Sequence, residues 1–290
     1  MRRLIINADD FGLTGGVNHA IVEAHWHGVV TSATLMAGGR AFVEAVQSAQ
    51  NLPQLSVGCH VVLVDGTPLL PANQVGTLLG TGNGNVEFRS SLGEFASAAL
   101  RGRIDPEQVE AEATAQMRKL QSAGITLSHF DTHKHAHMFP ALLRPLLRAA
   151  RACGVRAVRN PFAPVRPLAF AHLLRRPRLW KRYSEVRALR QLLDKFRAAV
   201  QEEHILTTDG TFGIVATGAL DLRLFEAIVG CIPEGTWEFV CHPGYNDAEL
   251  GGVRTRLRES RVQELQVLTS PEARAVLERH EVELISFRQL

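Results

Sequence analysis

The 290-residue chain has no run of 18 or more apolar residues, which excludes a membrane-spanning helix of the usual kind. Arg2 and Arg3 open the N-terminus, but the apolar run after them is only Leu4-Ile5-Ile6, and acids arrive at Asp9 and Asp10. That is too short for a secretory signal, so cytoplasmic residence is the expectation. The four cysteines, Cys59, Cys153, Cys231 and Cys241, include no CxxC spacing, which argues against a zinc knuckle or a disulfide framework and for buried, reduced thiols. The stretch Gly80-Thr81-Gly82-Asn83-Gly84-Asn85 has no accompanying GK[ST], so it is not a phosphate-binding loop. No internal repeat, nucleic-acid motif or repeated interleaving of aromatic with basic residues is present, so no nucleic-acid partner is expected. With 46% hydrophobic and 21% charged residues, the composition is that of an ordinary globular protein.

The net charge of +3 is unevenly spread. From Arg156 to Arg197, twelve Lys or Arg residues stand against only Glu185 and Asp194, a local charge of +10 that leaves −7 on the rest. Four prolines, Pro161, Pro164, Pro167 and Pro177, punctuate this basic segment, and Val186, Leu189, Leu193, Phe196 and Val200 form a helical stripe from Ser184 to Val200. We read residues 160–208 as a basic helical insertion. Charge runs are commonly solvated faces. Yet Leu168, Phe170, Leu173, Leu174, Leu179, Trp180 and Tyr183 sit among the arginines, so 166–197 is also a candidate for peripheral membrane contact.

Elsewhere short apolar runs alternate with helical patterns. Strands are expected at Leu4–Ala8, Val29–Met36, Leu55–Leu63, Thr126–Asp131, Val155–Arg159, Gly213–Ala216, Trp237–Cys241 and Val282–Ser286. Helices are expected near Val17–His27, Ala41–Gln50, Pro106–Ala123, Pro140–Cys153, Asp221–Cys231, Arg256–Leu268 and Pro271–Arg279, with Asp105 and Ser270 as caps ahead of first-turn prolines. The alternation argues for a parallel α/β sheet, an irregular (β/α) barrel forming a single domain over 1–290, with a doubly wound open sheet second.

The chemistry-bearing residues fall at the predicted C-terminal ends of these strands. Asp9 and Asp10 close the first run. Neighbouring side chains on a regular strand diverge, so either one carboxylate is wasted on a packed face or the strand ends here and both reach a site. His60 ends the third run, His242 the seventh, and His129, Asp131, His133, His135 and His137 follow the fourth. A lone strand-end histidine is more often structural, but histidines and aspartates at one rim together point to metal or acid–base chemistry. By alternation, Cys59 and Cys241, each one residue before a histidine, face the covering helices and are not ligands.

Asn7-Ala8-Asp9-Asp10-Phe11-Gly12, Val30-Thr31-Ser32-Ala33-Thr34, Gly58-x-His60, the run from His129 to Pro140 and Cys241-His242-Pro243 resemble, in order, the motifs of the YdjC-like carbohydrate deacetylases. That family includes chitooligosaccharide deacetylases and a branch associated with hopanoid biosynthesis, and the basic insertion makes the second branch the nearer likeness. The resemblance implies a polysaccharide-deacetylase-like barrel, one divalent metal ion (Zn²⁺ or Mg²⁺, with Co²⁺ and Ni²⁺ open) and an N-acetylated amino-sugar substrate that the second branch would carry on a lipid. It further implies Asp10, His60 and His133 as metal ligands, Asp9 as catalytic base, His242 as proton donor and Arg159 as the holder of Asp9. Asp131 would orient a ligating histidine, and His135, His137 and Tyr245 would support the site or touch substrate. Two other readings keep the metal: a phosphoesterase or amidohydrolase, which usually assembles two ions, and a metal-stabilised sugar- or lipid-binding module.

Overall fold

Alternation along the first strand decides which side of the sheet holds what. In β1 (Arg2–Phe11), Leu4, Ile6 and Ala8 join the main hydrophobic core between sheet and helices, whereas Ile5, Asn7 and Asp9 turn the other way. The computed structural model describes residues 1–80, 86–166, 168, 173 and 176–290. In it β1 is followed by β2 (Ser32–Leu35), β3 (Ser56–Val61), β4 (His129–Thr132), β5 (Ala157–Val158), β6 (Leu206–Thr207), β7 (Gly210–Phe212), β8 (Gly235–Cys241) and β9 (Val282–Ile285). Eight of them line up as β6-β5-β4-β3-β2-β1-β8-β7, every pairing parallel, and β9 lies against the first half of β1. Between β5 and β7 the ring is continued by residues after β5: the Thr211 N–H donates to the Phe162 carbonyl at 3.0 Å and Asn160 Nδ2 to Thr208 O at 3.0 Å. This is a nearly closed parallel α/β barrel.

The barrel interior is unusual for its polarity. Ile5, Ala157, Ile285 and Phe287 form a small apolar plug. Above it stand Asn7, Asp9, Thr34, His60, His129, Asp131, Arg159, Thr211 and Glu238, all buried. In most such barrels branched aliphatic side chains fill these layers. His129 lies flat on the Phe287 ring, centroids 3.7 Å apart, and a Cβ at Gly58 would come within 2.6 Å of the His129 ring, which is why β3 carries glycine there. Cys59 and Cys241 sit on the outer side, in the main core, as the alternation requires.

Helices α1 (Gly15–Trp26), α2 (Phe42–Gln50), α3 (Leu92–Leu100), α4 (Pro106–Ser122) and α5 (Pro140–Ala152) cover the first strands. Asp105 caps α4 by accepting from the Glu107 N–H at 2.9 Å, with proline in its first turn as expected. After β7 come α8 (Leu222–Val229), α9 (Ala248–Gly251), α10 (Glu259–Thr269) and α11 (Pro271–Arg279). In the Gly-, Pro- and Asn-rich stretch 64–91, two short 3-10 turns and a bridge between Leu79 and Phe88 order the chain; its residues 81–85 lie outside the described residues.

Three expectations are corrected. Gly213–Ala216 is not a strand: Gly213 takes a left-handed φ of 92° and Ala216 hydrogen-bonds back to it, so β7 ends at Phe212. The helical stripe of the insertion is broken into α6 (Trp180–Leu189) and α7 (Leu193–Glu202) by a 3-10 turn at Arg190–Leu192. Leu168, Leu173 and Leu179 are buried in the main core, so they cannot face a bilayer; Phe170, Leu174 and Arg175 lie outside the described residues. Several cations of this segment are also spent inside the chain, with Arg176 on Asp221 at 2.6 Å, Arg190 on the Ala163 carbonyl at 2.5 Å and Arg182 on the Thr217 carbonyl.

The segment after β3 is held by α4. Glu112, fully buried, accepts from the backbone N–H groups of Leu69 at 2.9 Å and Leu70 at 3.0 Å, and Gln116 bonds both the N–H and the carbonyl of Val62 at 2.8 Å. Glu112→Ala should strand two backbone donors and lower the unfolding free energy by about 3 kcal/mol, measured by denaturant titration; a change under about 0.5 kcal/mol would show that the segment does not depend on this carboxylate.

Candidate active site

The two aspartates part company through a bulge. Ala8 pairs with Ala33 of β2, but the next registered pair is Phe11 with Leu35, so one extra residue is fitted into β1. That residue is Asp10, with φ 68°, a left-handed conformation Asp tolerates better than most. A regular strand would send Asp10 toward the helices. The bulge instead brings it round to the mouth of the barrel, while Asp9 keeps its inward position, level with His242 because Ala8 pairs with Cys241. Neither alternative posed by a regular strand applies, since the strand continues and both carboxylates still reach the site.

Asp9 is held by Arg159. The guanidinium approaches both its oxygens, Nη1 to Oδ2 at 2.7 Å and Nη2 to Oδ1 at 2.6 Å, and also contacts Asp131 at 2.5 Å and Glu238 at 2.7 Å. Arg159 is wholly buried, so it belongs to this site and not to the basic insertion. Burial alone would raise the Asp9 carboxyl, but the Arg159 charge and hydrogen bonds outweigh it and hold Asp9 well below the usual carboxylate range. One guanidinium cannot neutralise three acids. Burial, with the charges of Asp9 and Asp131 added, pushes Glu238 up to about 7 against the pull of Arg159.

At the mouth, three atoms converge: Asp10 Oδ1, His60 Nε2 and His133 Nδ1. Their separations are 3.4 Å, 3.5 Å and 3.3 Å. Tetrahedral ligands about 2.1 Å from a shared ion lie about 3.4 Å apart, so the triangle fits one divalent ion. Asp10 Oδ1 is buried without a hydrogen-bond partner among the described residues, a costly arrangement unless a cation completes it. His60 Nδ1 bonds Asp131 at 2.7 Å, the carboxylate–histidine arrangement that orients a ligating imidazole. Burial pulls the His60 pKa down, but Asp131, Asp9 and Asp10 overcome it and raise it to about 9. The same carboxylates that favour a proton there favour a metal cation in its place. A second candidate group, Asp9, His60 and Asp131, has both its carboxylates on Arg159 and is the poorer choice.

His242 stands beside Asp9, Nε2 to Oδ2 at 3.8 Å, and its backbone N–H donates to buried Glu264 at 2.6 Å. His137 is buried and structural: its N–H and Nδ1 bond the Thr132 hydroxyl, and its Nε2 donates to the Arg159 carbonyl at 3.1 Å, fixing where Arg159 begins. His135, left-handed at φ 54°, is pushed down to about 3 by burial and by Arg159, so it stays neutral. The structure does not bring Tyr245 to the cluster. Its hydroxyl donates to Glu23 on the outer rim, and the residue is 40% exposed.

Two residues escaped the sequence reading. Arg261 and Glu264, three apart on α10, are 1% and 2% exposed; Arg261 Nη2 donates to Asp10 Oδ2 at 2.5 Å. With Leu257, Leu265 and Leu268 they share one buried stripe, and two charges on an apolar stripe were the available signal.

The YdjC-like protein family matches residues 3–279. The chain belongs to that family. A carbohydrate deacetylase of Brevibacillus brevis is 34% identical over 291 residues, covering 99% of both chains. One from Geobacillus stearothermophilus is also 34% identical, covering 99% of this chain and 98% of that one. Among solved structures, an Enterococcus faecalis protein named for cellobiose-phosphate cleavage superposes with a TM-score of 0.76 at 26% identity, over 99% of this chain and 98% of the other.

For Glu238 the sign of the pH effect follows from its raised pKa. The stability its protonated form lends is complete below 4.5 and is lost as pH rises through about 7. Glu238→Gln should remove a fall in unfolding free energy across that window of up to about 3 kcal/mol, read from denaturant titrations of both proteins at a series of pH values. Parallel curves for the two proteins would contradict the assignment.

Proposed function

We propose that this member of the YdjC-like family is a metal-dependent carbohydrate N-deacetylase, hydrolysing the acetamide of an N-acetylglucosamine-type sugar. The observation that carries the reading is the different treatment of Asp9 and Asp10: one is clamped at both oxygens by Arg159, the other leaves an unpartnered oxygen facing two imidazoles. Asp10, His60 and His133 would hold one divalent ion, which when bound polarises the acyl oxygen and acidifies water. Zn²⁺ suits this donor set, and Co²⁺ or Ni²⁺ would also fit.

The chain's own groups supply the proton traffic. Asp9 lies beside the three donors but is withheld from them by Arg159, so it faces the attacking water as a base. Held so far below the usual range it is a weak base, and a proton it takes passes on to His242, 3.8 Å away. His242 then delivers that proton to the departing amine, with Glu264 anchoring its backbone N–H at 2.6 Å and lying 3.9 Å from its Nδ1. Water is consumed, and acetate and a free amino sugar are formed. Asp131 holds the His60 ring, and half-buried His135 and His133 line the mouth where the sugar enters.

Within this substrate class the likeness to the hopanoid-associated branch points to a lipid-linked amino sugar. No helix among the described residues is long and apolar enough to cross a membrane, so contact would be peripheral. What supports it is the exposed side of α6, where Trp180 is 51% exposed and Lys181 87%. In flotation with anionic vesicles, the protein should rise with the lipid in low salt, and replacing Trp180, Lys181 and Arg187 with Ser should leave it in the soluble fraction. Equal recovery of the two proteins would count against the docking.

The adjacent aspartates give the direct test of the chemistry. With metal-reconstituted protein and a panel of N-acetylglucosamine substrates, with and without a hopanoid aglycone, acetate release should fall at least about 100-fold in Asp9→Asn with one ion per chain retained. Asp10→Ala should lose the ion itself. Variants that both keep ion and activity would overturn the mechanism.

A further inference from the structure

Arg261 has no part in the proton traffic, yet with Arg159 it heads the largest fully buried side chains among the described residues. It reaches Asp10 from α10, with Nη2 2.5 Å from Oδ2 and Nε 3.3 Å from the Leu257 carbonyl. Its stem crosses the backbone of the His242-Pro243-Gly244 turn, where a Cβ at Gly244 would come within 2.9 Å of Arg261 Cδ. The glycine after His242-Pro243 therefore makes room for this arginine. A buried guanidinium is costly, and a well-packed apolar residue in its place is often no less stable. Stability alone does not account for it.

What it does to Asp10 is unequal. Oδ2 receives the guanidinium, while Oδ1, buried and unpartnered, faces His60 Nε2 and His133 Nδ1. We infer that Arg261 is a positioning residue that makes Asp10 a one-oxygen ligand: it occupies Oδ2 so that only Oδ1 is offered to the ion. An aspartate free to turn offers both oxygens to a metal and fills a coordination position that a hydrolytic site needs open. Arg261 also sets a fixed positive charge beside the ion, which weakens metal binding through low-dielectric repulsion. The site thereby gives up metal affinity for open coordination. This rests on the metal-dependent reading above, but its test reads the ion and not the substrate.

The probe is Co²⁺ titrated into metal-free protein, with the visible absorption of the bound ion reporting coordination number and a competing chelator reporting affinity. Arg261→Met removes the donors and keeps most of the stem. Its Co²⁺ complex should bind at least about tenfold more tightly, and its visible bands should weaken toward those of a higher coordination number. In the zinc-loaded variant kcat should drop by tenfold or more with KM changing less. Arg261→Lys, which can still pair with Oδ2, should return both spectrum and affinity most of the way to those of the parent, and it serves alone if Arg261→Met does not fold. A Met variant with the parental spectrum, or with weaker Co²⁺ binding, would overturn the inference, as would a folded Lys variant whose Co²⁺ spectrum and affinity depart from those of the parent as far as loss of the pairing with Oδ2 predicts. A parent protein that binds no Co²⁺ would instead refute the metal-dependent reading, and one that binds Co²⁺ but releases no acetate would refute only the deacetylase assignment.

Discussion

The buried guanidinium of Arg159 is the interaction on which the rest of the structure depends. It starts at the end of β5 and crosses the barrel interior to Asp9 of β1, Asp131 of β4 and Glu238 of β8. Removing either side of such a buried pair costs about 3–5 kcal/mol, because the charge left behind has no water to solvate it. The consequences spread in both directions. Strands on opposite sides of a nearly closed ring are tied through its middle, and the carboxylates that Arg159 fixes are those that orient His60 and stand beside His242. His137 holds the Arg159 carbonyl, so even a histidine with no place at the mouth contributes by fixing where the guanidinium starts.

Two arginines then divide two adjacent aspartates between them. Arg159 takes both oxygens of Asp9, and Arg261 takes one of Asp10. The bulge at Asp10 makes this possible by turning consecutive side chains toward one cavity from different heights. Identical residue types thus acquire different chemistry from the geometry of their partners. The left-handed conformations at Lys134 and His135 likewise aim side chains against the regular course of a turn, whereas those at His204 and Glu281 follow helix ends.

Much of this was legible in the sequence because alternation is a strict constraint on a buried strand. The parity that sends Leu4, Ile6 and Ala8 outward sends Asn7 and Asp9 inward, and the same count places Cys59 and Cys241 in the outer core beside inward-facing His60 and His242. What failed did so where local pattern yields to tertiary contact. The apolar residues of the basic segment suggested a lipid-facing surface, but Leu168, Leu173 and Leu179 found the core of their own chain first. Tyr245 lies near His242 in sequence, yet the turn through Gly244 carries it to the rim. The bulge had no signature beyond the repeated acid itself. Arg261 and Glu264 were hidden because a charged residue on an apolar helical stripe reads as an imperfection of the stripe until its partner, 251 residues away in the case of Arg261 and Asp10, is seen.

The most direct measurement is the anomalous scattering of a crystal of the protein grown with Zn²⁺. One peak per chain is expected, about 2.0–2.2 Å from Asp10 Oδ1, His60 Nε2 and His133 Nδ1, with Asp9 still on Arg159. A peak bound by Asp9, or by both oxygens of Asp10 with Arg261 displaced, would contradict it.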